Sequence, residues 1–278
     1  MYSRNPQSSW RRPLRLSLMI GVLLSSGFSI TSGIAAEAPT DTIDMSVHVG
    51  QALTAALDLL DAGKPAEAAA ALQRLREQPL NDYEASRILL QAVNIDIRMN
   101  NHQAAITNSE LLLQTQALSD AERTNATLML GKLNLQLENW SKGIEALLQA
   151  NERQPDNQET LYLSGFAYYR LQQPELAVQF LEQARDVNPS QAGEPIYSLL
   201  GVLYVNAKNY PKALETYETL TSAVPDSVQI ESYQSTLAQL YAQAGDREKA
   251  KAALQLLIEK FPGSAKLNDY RQRLALLK

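Results

Sequence analysis

The stretch LSGFAYYRLQQPELAVQFLEQARDVNP, residues 163–189, decides the fold. It places small residues at Gly165, Ala177 and Ala184 among large apolar ones and closes on Pro189. Leu161, Tyr168 and Leu171 recur at helical spacing and mark one buried face. Small residues let two helix axes approach, and bulky ones fill the grooves between side-chain ridges. Pro174 stands at the expected first turn of a second helix, where a missing N–H costs nothing, and Pro189 blocks growth beyond its end. The stretch therefore reads as two helices packed against each other, without a cysteine or histidine that could carry chemistry.

Working outward, the pattern returns. Gly131, Gly165 and Gly201 are 34 and then 36 residues apart. Each is followed twelve residues later by Gly143, Ala177 or Ala213, and then by Pro155, Pro189 or Pro225. A fourth unit carries Leu237, Ala238, Tyr241, Ala250, Leu254, Leu257 and Pro262. Two weaker units precede these. One has Ala56, Leu59, Ala68, Leu72 and Leu75; the other has Leu89, Ala92, Ala105 and Leu112, but Asp96 and Ser109 where large apolar residues are expected. Thr127 and Asn134 interrupt the third unit in the same way. A fixed period of this length marks a helical-repeat array, in which each pair leaves an apolar face that its neighbour must cover. A helix predicted from Ser264, with Leu267, Tyr270, Leu274 and Leu277 on one stripe, supplies a capping segment over 264–278. A helix lying on a membrane surface is the alternative for that segment.

These positions resemble the tetratricopeptide repeat (TPR) family. The resemblance implies an all-α solenoid, a right-handed superhelix of about six helix pairs over 46–262, in units of approximately 46–80, 86–118, 124–157, 158–191, 194–227 and 231–262. It further implies that the first helix of each pair lines a concave wall. The positions spared from packing there would be Arg87, Leu90, Asn94, Ile97 and Arg98 in the second unit, and Asn125, Leu128, Lys132, Leu135 and Gln136 in the third. The fourth would add Glu159, Tyr162, Phe166, Tyr169 and Arg170, and the fifth Ser198, Val202, Val205 and Asn206. Aromatic side chains supply rigid contact area, and arginine pairs with carboxylates or stacks on rings, so this set is the candidate partner-binding groove. The alternative is that these residues pack against the adjacent repeat and that their charges are solvated ends. A carboxylate clamp known in the family is not carried over, because Leu90 stands where it needs a cation. Tyr168, Tyr204 and Tyr241 occupy one repeated core position and are read as structural.

The N-terminus has the order of a secretory signal peptide: Arg4, Arg11, Arg12 and Arg15, an apolar run over 16–30, then Gly33, Ala35 and Ala36. Cleavage is expected after Ala35 or Ala36, giving a signal peptide at 1–36 and a flexible polar leader at 37–45. An uncleaved anchor and a twin-arginine signal are the alternatives. Residues 1–36 hold four of the 25 basic residues and none of the 30 acidic ones, which leaves 21 against 30, a net charge of −9. Such a field disfavours nucleic acid and anionic lipid, and no later stretch is apolar enough for tight membrane insertion. The absence of cysteine removes disulfides and a lipid-modifiable thiol, and fits the periplasm of a Gram-negative bacterium for a chain that is not a lipoprotein.

Two isolated histidines, His48 and His102, lack ligand-spaced partners, so neither a metal nor a cofactor is expected. Phosphate-binding glycine loops are missing too. The sequence thus points to a non-catalytic, monomeric scaffold that holds a peptide or protein segment of an envelope complex. The last two repeats look broadly like repeat proteins accompanying TonB-type transport systems. A self-associating assembly protein and a glycan-binding accessory of cell-wall synthesis are the alternatives.

Overall fold

In a computed structural model, which describes residues 45–277, thirteen α-helices follow one another and no strand occurs among the described residues. They form consecutive antiparallel pairs: α1 (Val47–Asp61) with α2 (Pro65–Arg76), α3 (Asp82–Arg98) with α4 (His102–Gln114), and α5 (Asp120–Gln136) with α6 (Trp140–Arg153). Then come α7 (Gln158–Arg170) with α8 (Pro174–Val187), α9 (Gly193–Asn206) with α10 (Tyr210–Ala223), and α11 (Ile230–Gln243) with α12 (Arg247–Lys260). The last helix, α13 (Leu267–Leu276), packs on α12. Each second helix also packs on the first helix of the next pair, as expected of a TPR solenoid. The segments read as a signal peptide, 1–36, and as a flexible leader, 37–45, lie outside the described residues except for Met45.

The small residues act at the helix crossings. A Cβ at Gly165 would lie 2.7 Å from Leu181 Cγ, and one at Gly201 would lie 2.8 Å from a ring carbon of Tyr217. At Gly131 the obstacle is Leu147, and at Gly143 it is Leu135. Ala177, Ala213 and Ala250, facing these crossings from the second helices, are fully buried. The hinge inside each pair repeats as closely. Gly63, Asn100, Glu138, Gln172, Lys208 and Gly245 all have a positive φ, so a left-handed residue reverses the chain at the same point six times. Four of them are not glycine, which conceals this regularity from a search for glycine turns.

Three of the four degenerate positions are accommodated by local polar bonds, whereas the buried Ser109 hydroxyl has no partner among the described residues. Thr127 Oγ1 donates to the Arg123 carbonyl, and Asn134 Nδ2 donates to that of Leu130. Buried Asp96 accepts from Asn108 Nδ2 at 2.7 Å, and Asn108 in turn accepts from Arg76 Nη1 at 2.9 Å. Burial pushes the Asp96 carboxyl above its ordinary range, against the opposing pull of these partners. The second pair therefore keeps its fold around a polar network rather than an apolar plug.

Two helix starts differ from the repeat units read in the sequence. α3 and α5 each begin about one turn ahead of 86 and 124, because Asn81 with Glu84, and Ser119 with Glu122, form capping boxes that satisfy the first N–H groups. The final helix begins at Leu267 rather than at Ser264, whose hydroxyl is engaged with Glu231. That contact has an antecedent: Glu194 accepts from Ser227 and Tyr233, and Glu231 accepts from Ser264 and Tyr270. α13 thus docks with the side-chain set of a first helix, its Tyr270 fully buried.

Candidate functional site

First helices of neighbouring pairs touch directly where α1 meets α3 and α5 meets α7. On α7, Tyr162, Phe166, Tyr169 and Arg170 follow at helical spacing and share a face. Phe166 is the least exposed, at 5%, and its ring meets Trp140 edge-on at 6.0 Å. Tyr162 lies 6.5 Å from Phe166, and burial raises its phenol pKa. The Arg170 guanidinium sits 4.4 Å from the centre of the Trp140 ring and contacts Glu138 at 3.4 Å. Trp140, at the start of α6, was not among the residues read as groove-forming. It belongs to a second helix, and only the crossing of α6 with α7 brings it here.

Two basic residues of the wall, besides Arg170, are already partnered across repeats. Lys132 Nζ meets Glu159 at 2.7 Å, and Arg87 Nη1 meets Glu122 at 2.5 Å. Each pair joins the first helices of neighbouring repeats, α5 to α7 and α3 to α5. Burial opposes the ionised form of Glu122, but hydrogen bonds from Arg87 and Ser119 outweigh it and hold the carboxyl below its ordinary value. Arg87 also lies 5.2 Å from the Tyr83 ring and keeps Nη2 buried without a partner. Gln136 Oε1 is likewise buried and unpaired.

The remaining groove residues are dispersed. Asn94 is half-buried and reaches Gln91 at 3.5 Å. Arg98 and Asn206 are exposed at the ends of α3 and α9, whereas Leu135, Ser198 and Val202, expected on the open wall, are buried by the packing of the helices. The structure therefore gathers Lys132, Tyr162, Phe166, Tyr169 and Arg170, with Trp140, on α5 to α7, and leaves Arg87, Asn94, Arg98 and Asn206 apart from them.

The tyrosine series behaves differently along the chain. Tyr204 is buried and Tyr241 half-buried, and their hydroxyls donate to Glu182 and Glu218 of the preceding second helices. Burial and these carboxylates push both phenol pKa values far up. Lys212 and Lys249 complete the two clasps, each over the tyrosine ring and paired with the same glutamate. Tyr168 instead stacks on Phe180 at 5.3 Å. His48 bonds Gln78, and His102 is the first residue of α4. Among the described residues no three His, Cys, Asp or Glu side chains are grouped to hold a metal ion, and no helix is long and apolar enough to cross a membrane.

A stack of helix pairs with small-residue crossings defines a helical-repeat solenoid. Sequence models described as tetratricopeptide repeat match residues 53–107 and 128–192, and also 197–227 and 236–264. The chain belongs to the tetratricopeptide repeat family. Its fold is similar to that of a TPR protein from Parabacteroides merdae, with a TM-score of 0.56 at 20% identity over 82% of this chain and 90% of that one. It is similar to MamA at 0.55 and 22%, over 66% and 95%. It is also similar to YrrB, described as a TPR protein with an unusual peptide-binding site, at 0.54 and 19%, over 66% and 91%. No curated protein matches the chain in sequence.

Proposed function

We propose that the protein is a non-catalytic periplasmic scaffold that holds a segment of another envelope protein against the wall of α5, α6 and α7. The observation that carries this reading is the face of Trp140 and Tyr162, backed by Phe166, which the structure buries in the core, with Arg170 laid over Trp140. Large aromatic faces beside an arginine are the residue types that dominate binding energy at interfaces. Their mutual packing fixes their rotamers before a ligand arrives, which lowers the entropy lost on binding. The wall-spanning ion pairs hold neighbouring repeats in register and leave the cluster as a preformed surface. The peptide-binding description of YrrB agrees with this use of the fold. The charged-then-apolar N-terminus supports an envelope location, and TonB-dependent transport is the first process to examine.

The test is capture of partners from native envelopes with the wild-type chain and a Tyr169→Ala, Arg170→Glu variant of unchanged helicity. Phe166 is left intact because it belongs to the core. Retention by the wild type and loss by the variant support the reading. Identical capture by both, or none by either, refutes it.

A further inference from the structure

We infer that the segment held on this wall is an uncharged, proline-rich chain in the polyproline II conformation. The inference rests on the groove reading above and names its ligand. Three observations carry it. The first is an excess of unused donors: the hydroxyls of Tyr162 and Tyr169 and Trp140 Nε1 make no hydrogen bond to the described residues, and none is sealed from solvent. A polyproline II chain is the complementary partner, because it has no internal hydrogen bonds and offers carbonyl acceptors while proline supplies no N–H. A helix would already have spent most of its carbonyls on itself.

The second is spacing. Tyr162 and Tyr169 are two turns apart on α7, about 10 Å along the axis at the helical rise. Residues i and i+3 of a polyproline II helix share a face and repeat every ~9 Å, so two prolines can meet the two rings in succession. The third is charge. Lys132 and Arg170, the cations beside the aromatic cluster, are compensated by Glu159 and Glu138. A charged ligand would have to compete with these pairs, whereas a neutral one leaves them in place.

The experiment is calorimetric titration of the full chain with an uncharged proline-rich nonapeptide, and separately with an alanine-rich helical peptide of equal length. Saturable one-to-one binding of the proline peptide is expected, weakened about 3- to 10-fold by Tyr162→Phe and by Tyr169→Phe, as the loss of one hydrogen bond implies. These substitutions keep the rings and their packing, and circular dichroism checks that the helices persist. Binding of the helical peptide alone, sensitive to Trp140→Leu, overturns the ligand assignment and leaves the groove reading standing. Proline-peptide binding that ignores all three substitutions places the site elsewhere and overturns it. Binding of neither peptide also overturns it, and the groove reading then stands or falls on the envelope capture.

Discussion

Gly165→Ala measures how closely the helices must approach. Replacing a helix-interior glycine by alanine is worth about 1 kcal/mol in propensity. Against this, the new Cβ would lie 2.7 Å from Leu181 Cγ and 3.1 Å from the Ala177 carbonyl oxygen. Leu181 is fully buried, and its Cγ is a branch point rather than a free end, so relief requires α7 and α8 to move apart. Overpacking of that kind costs about 1–3 kcal/mol, which leaves a net loss of about 0–2 kcal/mol. The sign becomes decisive in a double-mutant cycle. Leu181→Ala alone should cost about 2–5 kcal/mol. In that background the clash with Leu181 is gone and only the tight 3.1 Å approach to the Ala177 carbonyl oxygen remains, so Gly165→Ala should be less costly than in the wild type, at best stabilising by up to about 1 kcal/mol. Urea unfolding of the four chains, followed by circular dichroism, gives the coupling. If Gly165→Ala stabilises the protein equally in both backgrounds, close approach at the crossing is not what the glycine is for.

Other perturbations separate the remaining devices. Lys208 holds a left-handed conformation with φ of +58° and is exposed, so Lys208→Gly should raise stability by about 0.5–1 kcal/mol, read as a higher urea midpoint. Tyr204→Phe removes one of two donors to Glu182 and should cost about 1–2 kcal/mol in the same assay, whereas Tyr168→Phe, whose ring stacks on Phe180, should cost less. Ser119→Ala opens the capping box of α5 and should cost about 1 kcal/mol. At Glu231, burial favours the neutral form, but hydrogen bonds from Ser264 and Tyr270 prevail and lower the folded-state pKa below 4.5. Its contribution is therefore present above the unfolded pKa and is lost as pH falls through the folded value. Glu231→Gln should lower the melting temperature at pH 7, and the difference should shrink on acidification below about pH 4.5; a difference that persists undiminished at pH 3 would count against the linkage.

The repeat was legible in the sequence because its cause is local. A glycine or alanine twelve residues before another, with prolines beyond the helix ends, identifies where two consecutive helices cross, and such crossings need no information from distant residues. The capping boxes are equally local, and they start α3 and α5 about one turn ahead of the approximate repeat bounds that the resemblance implied. The left-handed hinges were hidden because Asn100, Glu138, Gln172 and Lys208 occupy a conformation usually announced by glycine.

The candidate wall differs in kind. The resemblance to the repeat family assigns Arg87, Lys132, Tyr162, Phe166 and Arg170 to wall positions of three repeats, and that assignment needs only the sequence register. Whether a side chain at such a position is open, paired or buried depends on residues some 30 positions away. Glu122 takes Arg87, Glu159 takes Lys132, and Trp140 closes over Phe166 while supporting Arg170. By itself the sequence determined the helices, their pairing and the order of repeats, because these follow from spacing within a single unit. Only the tertiary structure decided which side chains of the wall remain available, because that is settled where one repeat stacks upon the next.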